Sequence, residues 1–346
     1  MPDHPSNTNA PNGPAPGADL PAPDGAWDRY WAHGFLTSCR NAFSGNYEGT
    51  VRALWEAFFA DLEADARIID IGTGNGAIPV SAAAAGLAAG RRFDIHGIDL
   101  AAIDPEATVK TDRHLLEQIR FHPRTPAEAT GFEPASVDAI TGQYAFEYTN
   151  TGRVAEELAR IAAPGARLMF VLHHSESVVM ETSREELANA RIIFDETRLF
   201  PRAADLVRIV GAARSPEDRR RLSSDPKAEQ RRHALNAAAE RVTKAIDSSP
   251  HPQLLQMAMH RVSDAYKALG GENGLAEALE ILATGETMIT ANADRLRDLM
   301  QAEVTPGRME TICAELQSAG FRLDPSEHLH HDGGPLMGWV LRGSRA

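Results

Sequence analysis

The chain has 346 residues, 43% of them hydrophobic and 24% charged, with a net charge of −13. This composition is typical of a soluble globular protein, and the length exceeds what one compact core usually holds. The acidic charge disfavours a nucleic-acid partner, and the absence of any run of about 18 apolar residues excludes a predicted membrane span, so neither nucleic acid nor membrane is expected as a partner.

Residues 1–24 form a proline-rich tract without an aromatic residue. Such a tract cannot bury enough apolar surface to offset its ordering entropy, so we predict a disordered tail. It lacks the basic and apolar regions of a secretory signal. The chain also has only two cysteines, Cys39 and Cys313, outside any CxxC spacing. Both observations favour a cytoplasmic location without disulfides.

Aromatic residues are concentrated between 25 and 49, and "VRALWEAFFADL" (51–62) follows with helical spacing. We therefore predict an N-terminal helical flap over 25–66 that packs its aromatic face on the main domain. Whether this flap also covers a ligand is left open by the sequence.

Strands and helices alternate over 67–174, which predicts the first part of a core. Apolar runs typical of buried strands lie at 67–71, 93–98, 119–122, 137–141 and 167–172. Helical segments at 77–89 and 151–162 lie between them, the second beginning beside Asn150, a good cap residue. This alternation indicates an α/β fold with a parallel sheet covered on both faces.

The strand pattern is absent from 175–305, where helical stretches near 215–246, 252–269, 274–284 and 286–301 predict a large all-helical insertion. It returns at 306–346, the predicted second part of the core. A helix begins at Thr305-Pro306, and two extended runs then flank residues 331–334. These runs predict an antiparallel C-terminal hairpin.

The stretch "RIIDIGTGNGAIPVS" (67–81) places a glycine-rich turn between a strand and a helix, which brings backbone close to a ligand. Gly72, Gly74 and Ala77 satisfy a dinucleotide-binding pattern, so an NAD(P)-dependent oxidoreductase is one hypothesis. Asp70 argues against it, because a carboxylate repels a pyrophosphate and suits a ligand with an ammonium group. Asp99, after the second strand, can bind the ribose hydroxyls of either ligand.

The segments "IIDIGTGNG", "GIDL", "ASVDAITGQYAFEYTN", "ELARIAAPGARLMFV" and "LQSAGFRL…GWVLRG" together resemble the class I, Rossmann-like, S-adenosylmethionine-dependent methyltransferase family. The resemblance implies a seven-stranded, mostly parallel sheet and S-adenosyl-L-methionine as cofactor. It implies cofactor contacts from the glycine turn, the second and fourth strands and the loop after the third: Asp70, Gly72, Thr73, Gly74, Asp99, Leu100, Ala127, Glu128, Gln143 and Tyr144. Pro126 replaces the family's usual adenine-binding aspartate, which moves that contact to Ala127 or Glu128.

Methyl transfer needs alignment of donor and acceptor and, for some acceptors, removal of a proton. His173 and His174 end the fifth strand, and we predict them as candidate catalytic residues, with His174 favoured as general base. The expected substrate is a small molecule methylated on oxygen or nitrogen. The helical insertion is expected to form a lid or pocket wall, with a homodimer contact left open.

Two further interpretations concern metal binding and catalysis. The group His328, His330, His331 and Asp332 lies at a predicted hairpin tip and is interpreted as a surface loop, so no metal site is expected. A fold that binds cofactor without catalysis, and uses its helices for protein contacts, is the remaining alternative to an enzyme.

Overall fold

A computed structural model describes residues 25–38, 45–213 and 215–346. The predicted disordered tail, 1–24, lies outside the described residues, as do Cys39 and Phe43. The chain divides into two compact units. We call the part up to Val178 and from Ala302 onward the core unit, and Val179–Gln301 the helical unit. Among the described residues, no helix combines the length and apolarity that crossing a bilayer requires.

Within the described ranges, the strands are β1 (Arg67–Ile71), β2 (Asp94–Ile98), β3 (Ile119–His122), β4 (Val137–Gln143), β5 (Ala162–Leu172), β6 (Phe321–Leu323), β7 (Glu327–His330) and β8 (Leu336–Arg345). The helices of the core unit are α1 (Ala26–Trp31), α2 (Gly49–Ala60), α3 (Ala77–Ala88), α4 (Pro105–Thr108), α5 (Arg113–Leu116), α6 (Thr151–Ile161) and α13 (Pro306–Ser318).

All of these strands form one sheet in the order β3-β2-β1-β4-β5-β8-β6, with β7 also paired to β8. Strands β1 to β5 are mutually parallel, and β8 runs antiparallel to β5, β6 and β7. The predicted α/β, Rossmann-like fold with an antiparallel end is thereby confirmed. The sheet has eight strands where seven were expected, because the first arm of the hairpin is divided into β6 and β7 around Pro325.

The order of β1 to β5 reverses between β1 and β4, which is the switch point where ligands bind in open parallel sheets. Buried apolar side chains on one face of the sheet pack against α6 and α13, including Ile140, Phe170 and Leu341. On the other side α2 packs beside α3, with Trp55 and Phe59 fully buried. Both faces are therefore covered, as a parallel sheet requires.

The C-terminal hairpin also contacts α2. The Asp332 carboxylate accepts hydrogen bonds from the Thr50 N–H and hydroxyl, both at 3.0 Å. Glu48, which precedes α2, makes no side-chain capping bond. Asp332 therefore caps this helix from a distant part of the sequence. Gly49 has φ +56°, and a Cβ there would collide with the Asp332 carboxylate.

The helical unit consists of most of α7 (Val178–Arg191), followed by α8 (Leu199–Ala212), α9 (Pro216–Ser223), α10 (Pro226–Ser248), α11 (Gln253–Ala268) and α12 (Gly274–Gln301). Its own apolar core includes Leu255, Val242 and Ile289. Helix α12 is continuous where two helices were predicted on either side of Gly285. A Cβ at Gly285 would lie 2.8 Å from the Arg261 side chain, so close helix packing explains this glycine.

Candidate active site

The glycine turn connects β1 to α3 at the carboxyl edge of the sheet. Gly72 and Gly74 have φ values of +58° and +51°, in the left-handed region that favours glycine. A Cβ at Gly72 would collide with Ala145, and one at Gly74 with the ring of Trp31. Thr73 lies between them and its N–H donates to the Ile98 carbonyl, 2.9 Å away, which fixes the turn against β2.

Asp70, near the end of β1, is 2% exposed and accepts a 2.8 Å hydrogen bond from the Thr141 hydroxyl of β4. Burial raises the pKa of Asp70 from 3.8 to about 7, and the nearby Asp99 adds to this effect. A buried carboxyl group of this kind gains from a nearby positive charge. It therefore suits a ligand that brings an ammonium group to this edge.

Asp99 follows β2 and faces the glycine turn. One carboxylate oxygen accepts the Gly74 N–H at 2.7 Å, and the other accepts the Ala101 N–H at 2.8 Å. Burial raises its pKa to about 6. Each oxygen keeps a second lone pair, so the carboxylate can still accept hydrogen bonds from two hydroxyl groups. Leu100, the next residue, is 67% exposed, which leaves an apolar surface beside Asp99.

Ala127 and Glu128 lie in the loop after β3. Ala127 is partly buried and packs against the apolar core of the sheet. The Glu128 carboxylate accepts the Asn150 N–H at 3.2 Å, so its contact in this structure is with the start of α6. The predicted adenine contacts of these two residues stay predictions.

Gln143 ends β4, two residues beyond Thr141 and therefore on the same face of the sheet as Thr141. Its side-chain oxygen accepts a 2.6 Å hydrogen bond from the indole N–H of Trp55 in α2. Its amide nitrogen is buried and has no hydrogen-bond partner among the described residues. Buried polar groups are nearly always paired, so this nitrogen can donate to a ligand acceptor or to water.

Tyr144 follows with φ +55°, a strained value for a residue with a side chain. Its hydroxyl donates to the Met337 carbonyl at 3.1 Å, and its ring stacks on His173 with centroids 4.2 Å apart. The Tyr148 hydroxyl lies 3.2 Å from His173 Nε2. His173 is only 2% exposed, whereas Tyr148 retains accessible surface. Tyr148 is therefore the more accessible member of this pair.

His174 belongs to a different cluster. Its ring stacks on Trp339, with centroids 4.4 Å apart, and meets His328 edge-on at 5.0 Å. Its Nδ1 accepts the Glu176 N–H at 2.9 Å. Burial, and then His328, lower the pKa of His174. Its predicted role as general base stays a prediction, and these contacts separate it from the Tyr144–His173–Tyr148 cluster.

Glu147 links the loop after β4 to the end of β5. It is 1% exposed, and one carboxylate oxygen accepts the His173 N–H at 2.7 Å. Burial raises its pKa from 4.5 to about 7. Arg308 donates to the Glu147 carbonyl at 2.6 Å, which connects the same loop to α13. Glu147 thus holds the backbone beside His173 in place.

The N-terminal segment packs directly on the glycine turn. The Asn75 side-chain amide donates to the carbonyls of Trp31 and Phe35, at 2.9 and 2.8 Å. The Asp28 carboxylate accepts the Ala102 N–H at 2.6 Å, next to Asp99. With the Trp31 ring against Gly74, this segment covers one side of the turn.

Several of these residues were missed by the sequence analysis: Trp31, Trp55, Glu147 and Tyr148. The aromatic concentration in 25–49 was noted, but which ring meets the glycine turn depends on the tertiary contacts of Asn75. Glu147 and Tyr148 stand in the quoted stretch "GQYAFEYT", directly after a predicted strand. Their position at the carboxyl end of β4 was the available signal.

The histidine-rich hairpin tip makes protein contacts. His330 lies 3.1 Å from the Gly334 carbonyl, and Asp332 caps α2. In the part of the chain that the structure describes, no group of three or more histidine, cysteine or acidic residues is arranged to hold a metal ion.

These features fit an S-adenosylmethionine-like ligand. The exposed Leu100 and the two remaining Asp99 lone pairs suit a nucleoside, and the buried Asp70 suits an ammonium group. The unpaired amide nitrogen of Gln143 suits an acceptor such as a carboxylate. A pyrophosphate would instead bring negative charge beside two carboxyl groups, which disfavours a dinucleotide.

Several solved structures are similar to this chain, each with a low TM-score. A Methanosarcina mazei S-adenosylmethionine-dependent methyltransferase matches at 13% identity over 84% of this chain and 96% of its own, with a TM-score of 0.38. A complex between the Haloferax volcanii Trm112 methyltransferase activator and a protein named as a methyltransferase matches at 22% identity, over 46% of this chain and 66% of that one, with a TM-score of 0.33. Geranyl diphosphate methyltransferase with sinefungin matches at 20% identity, over 36% of this chain and 46% of that one, with a TM-score of 0.29.

The chain thus spans less than two thirds of the length of the first two solved structures that it matches. No curated protein matches it. A family model described as a methyltransferase domain matches residues 43–213, which include the glycine turn, Asp99 and β4 to α8. The sheet order and the site at its switch point agree with this match. Residues 43–213 therefore match a methyltransferase domain, and they lie on a Rossmann-like α/β sheet.

Proposed function

We propose that this protein transfers a methyl group from S-adenosyl-L-methionine to oxygen or nitrogen of a small molecule in the cytoplasm. The observation that carries the proposal is the arrangement of Asp70, Asp99 and the Gln143 amide around one glycine turn. When bound, the cofactor supplies an electrophilic methyl group on a sulfonium sulfur. The protein's own work is then to hold the donor, align the acceptor and exclude water.

In this proposal the cofactor-binding residues are those predicted from the sequence. The backbone at Gly72, Thr73 and Gly74 lies against the cofactor, with Asp70 near its amino-acid end. Asp99 accepts hydrogen bonds from the two ribose hydroxyls, and Leu100 flanks the adenine. Charge-assisted hydrogen bonds of this kind contribute about 1.5–3 kcal/mol each.

The direct test replaces Asp99 and measures cofactor binding by titration calorimetry. Asp99→Ala should weaken S-adenosylmethionine binding at least about tenfold, since it removes charge-assisted hydrogen bonds. Asp138→Ala, a change at an exposed carboxylate on β4, serves as the matched control and should leave affinity unchanged. NAD⁺ should not bind the wild-type protein. Equal binding by Asp99→Ala and wild type would overturn the assignment.

For acceptors that must lose a proton, we assign that role to the end of β5. His173 and Tyr148 are the pair supported by geometry, since the Tyr148 hydroxyl lies 3.2 Å from His173 Nε2. In this proposal Tyr148 takes the proton from the acceptor and passes its own proton to His173, so that both residues contribute to turnover. Loss of a general base lowers turnover by about 10²–10⁴-fold. His173→Ala should show that loss together with a changed pH–rate profile, and the same two measurements on His174→Ala test the base role predicted for His174.

The helical unit is proposed as the substrate element. The chain leaves the core unit at Val178, soon after β5 ends, and re-enters it at Ala302. His174 and Val304 form an isolated bridge, so both crossing points lie at the carboxyl edge of the sheet. An insertion at this edge is well placed in the sequence to contribute a lid or pocket wall.

A further inference from the structure

The orientation of the Gln143 amide is determined by its neighbour in α2. Trp55 is completely buried, and an indole N–H can only donate a hydrogen bond. The atom of Gln143 that lies 2.6 Å from it must therefore be the carbonyl oxygen. The NH₂ group consequently occupies the other position of the amide, with two hydrogens to donate.

That NH₂ group is buried and has no hydrogen-bond partner among the residues that the structure describes. Gln143 as a whole is 9% exposed. Leaving a buried donor unpaired costs free energy, so a ligand that pairs it recovers that free energy. The Gln143 NH₂ group is therefore oriented to donate a hydrogen bond to an acceptor atom of a ligand.

The position on the sheet indicates which part of a ligand this donor meets. Thr141, two residues earlier on β4, donates to Asp70, and Gln143 lies one step further toward the carboxyl edge on the same face. A ligand that suits both positions has an ammonium group beside Asp70 and a carboxylate beside the Gln143 amide. These are the two charged groups of an α-amino acid. Both are present at one end of S-adenosylmethionine.

We infer that Trp55 is a positioning residue for the cofactor: it fixes the Gln143 amide so that its NH₂ group donates to the carboxylate at the cofactor's amino-acid end. This inference rests on the proposed function. It adds a residue of the N-terminal region, 88 positions away in sequence, to the binding site.

The test is a double-mutant cycle measured by titration calorimetry with two probes. S-adenosylhomocysteine carries the amino-acid end, whereas 5′-methylthioadenosine lacks it. Gln143→Ala and Trp55→Phe should each weaken S-adenosylhomocysteine binding by about 3–30-fold, which is the loss of one hydrogen bond. The double variant should bind no more weakly than Gln143→Ala, because Trp55 acts only through Gln143. Binding of 5′-methylthioadenosine should stay within twofold of wild type throughout.

Two further variants separate positioning from packing. Phe59→Leu alters the ring stacked on Trp55 without touching the indole–amide bond, and should leave affinity for S-adenosylhomocysteine within twofold. Gln143→Glu keeps an acceptor for Trp55 but places a negative charge near the ligand carboxylate, so it should weaken S-adenosylhomocysteine more than Gln143→Ala does. If Trp55→Phe does not fold, this second variant still tests the contact between the Gln143 amide and the ligand carboxylate.

If the losses of S-adenosylhomocysteine affinity in Gln143→Ala and Trp55→Phe add up in the double variant, the positioning role of Trp55 is overturned. Equal weakening of both probes, or unchanged binding by Gln143→Ala because water pairs the amide, would overturn the carboxylate contact. Failure of wild-type protein to bind either probe would instead refute the proposed function.

Discussion

Replacing Asp70 by asparagine should stabilise the ligand-free core unit, and the gain should depend on pH. Asp70 is 2% exposed, and burial raises its pKa from 3.8 to about 7. Asparagine has nearly the same shape and keeps an oxygen that can accept the Thr141 hydrogen bond. It cannot become charged, so the substitution removes only the cost of a buried negative charge.

The sign of the effect follows from proton linkage. A carboxyl group with a raised folded-state pKa contributes its stability fully below the unfolded pKa, and this contribution is lost as pH rises through the folded pKa. For Asp70 this window runs from about pH 4 to about pH 7. A pKa raised from 3.8 to about 7 corresponds to at most about 4 kcal/mol of stability. Asp70→Asn should therefore match the free energy of unfolding of wild type near pH 4 and exceed it by at least about 1 kcal/mol near pH 8.

Urea unfolding followed by tryptophan fluorescence is a suitable assay, because all four tryptophans belong to the core unit. The free energy of unfolding would be measured without ligand at several pH values for both proteins. Glu63→Gln, at an exposed position, is the control and should show no such trend. A difference between Asp70→Asn and wild type that does not change with pH would refute the reasoning.

Three other changes test separate parts of the structure. Asp332→Ala should lower the free energy of unfolding by about 1 kcal/mol, because α2 loses the cap on Thr50, and a Tm equal to wild type would exclude this role. Trp31→Ala should at least double the dissociation rate of S-adenosylhomocysteine, measured by stopped-flow fluorescence, because the Trp31 ring covers Gly74. An unchanged dissociation rate would show that the N-terminal segment does not cover the ligand. Replacing 179–301 by a short linker should abolish methyl transfer while largely sparing S-adenosylmethionine binding, and surviving turnover would exclude a substrate role for the helical unit.

Much of the fold was determined by local patterns in the sequence. Apolar runs followed by turns located β1 to β5, because side-chain alternation and chain-breaking residues act over a few positions. Asn150 was recognised as a cap, and its side chain accepts the expected backbone hydrogen bond from the Arg153 N–H. The glycine turn was also identified from sequence, since its backbone conformation requires residues without a Cβ.

Contacts between distant segments were decided only by the tertiary structure. The division of the first hairpin arm into β6 and β7, and the cap that Asp332 places on α2, depend on how the hairpin meets the rest of the core unit. The same holds for the Trp55–Gln143 bond and for the separation of His173 from His174 at the end of β5. Local sequence preferences select strands, turns and helices. Which side chains then share a hydrogen bond is set by packing between elements far apart in the chain, and no local pattern carries that information.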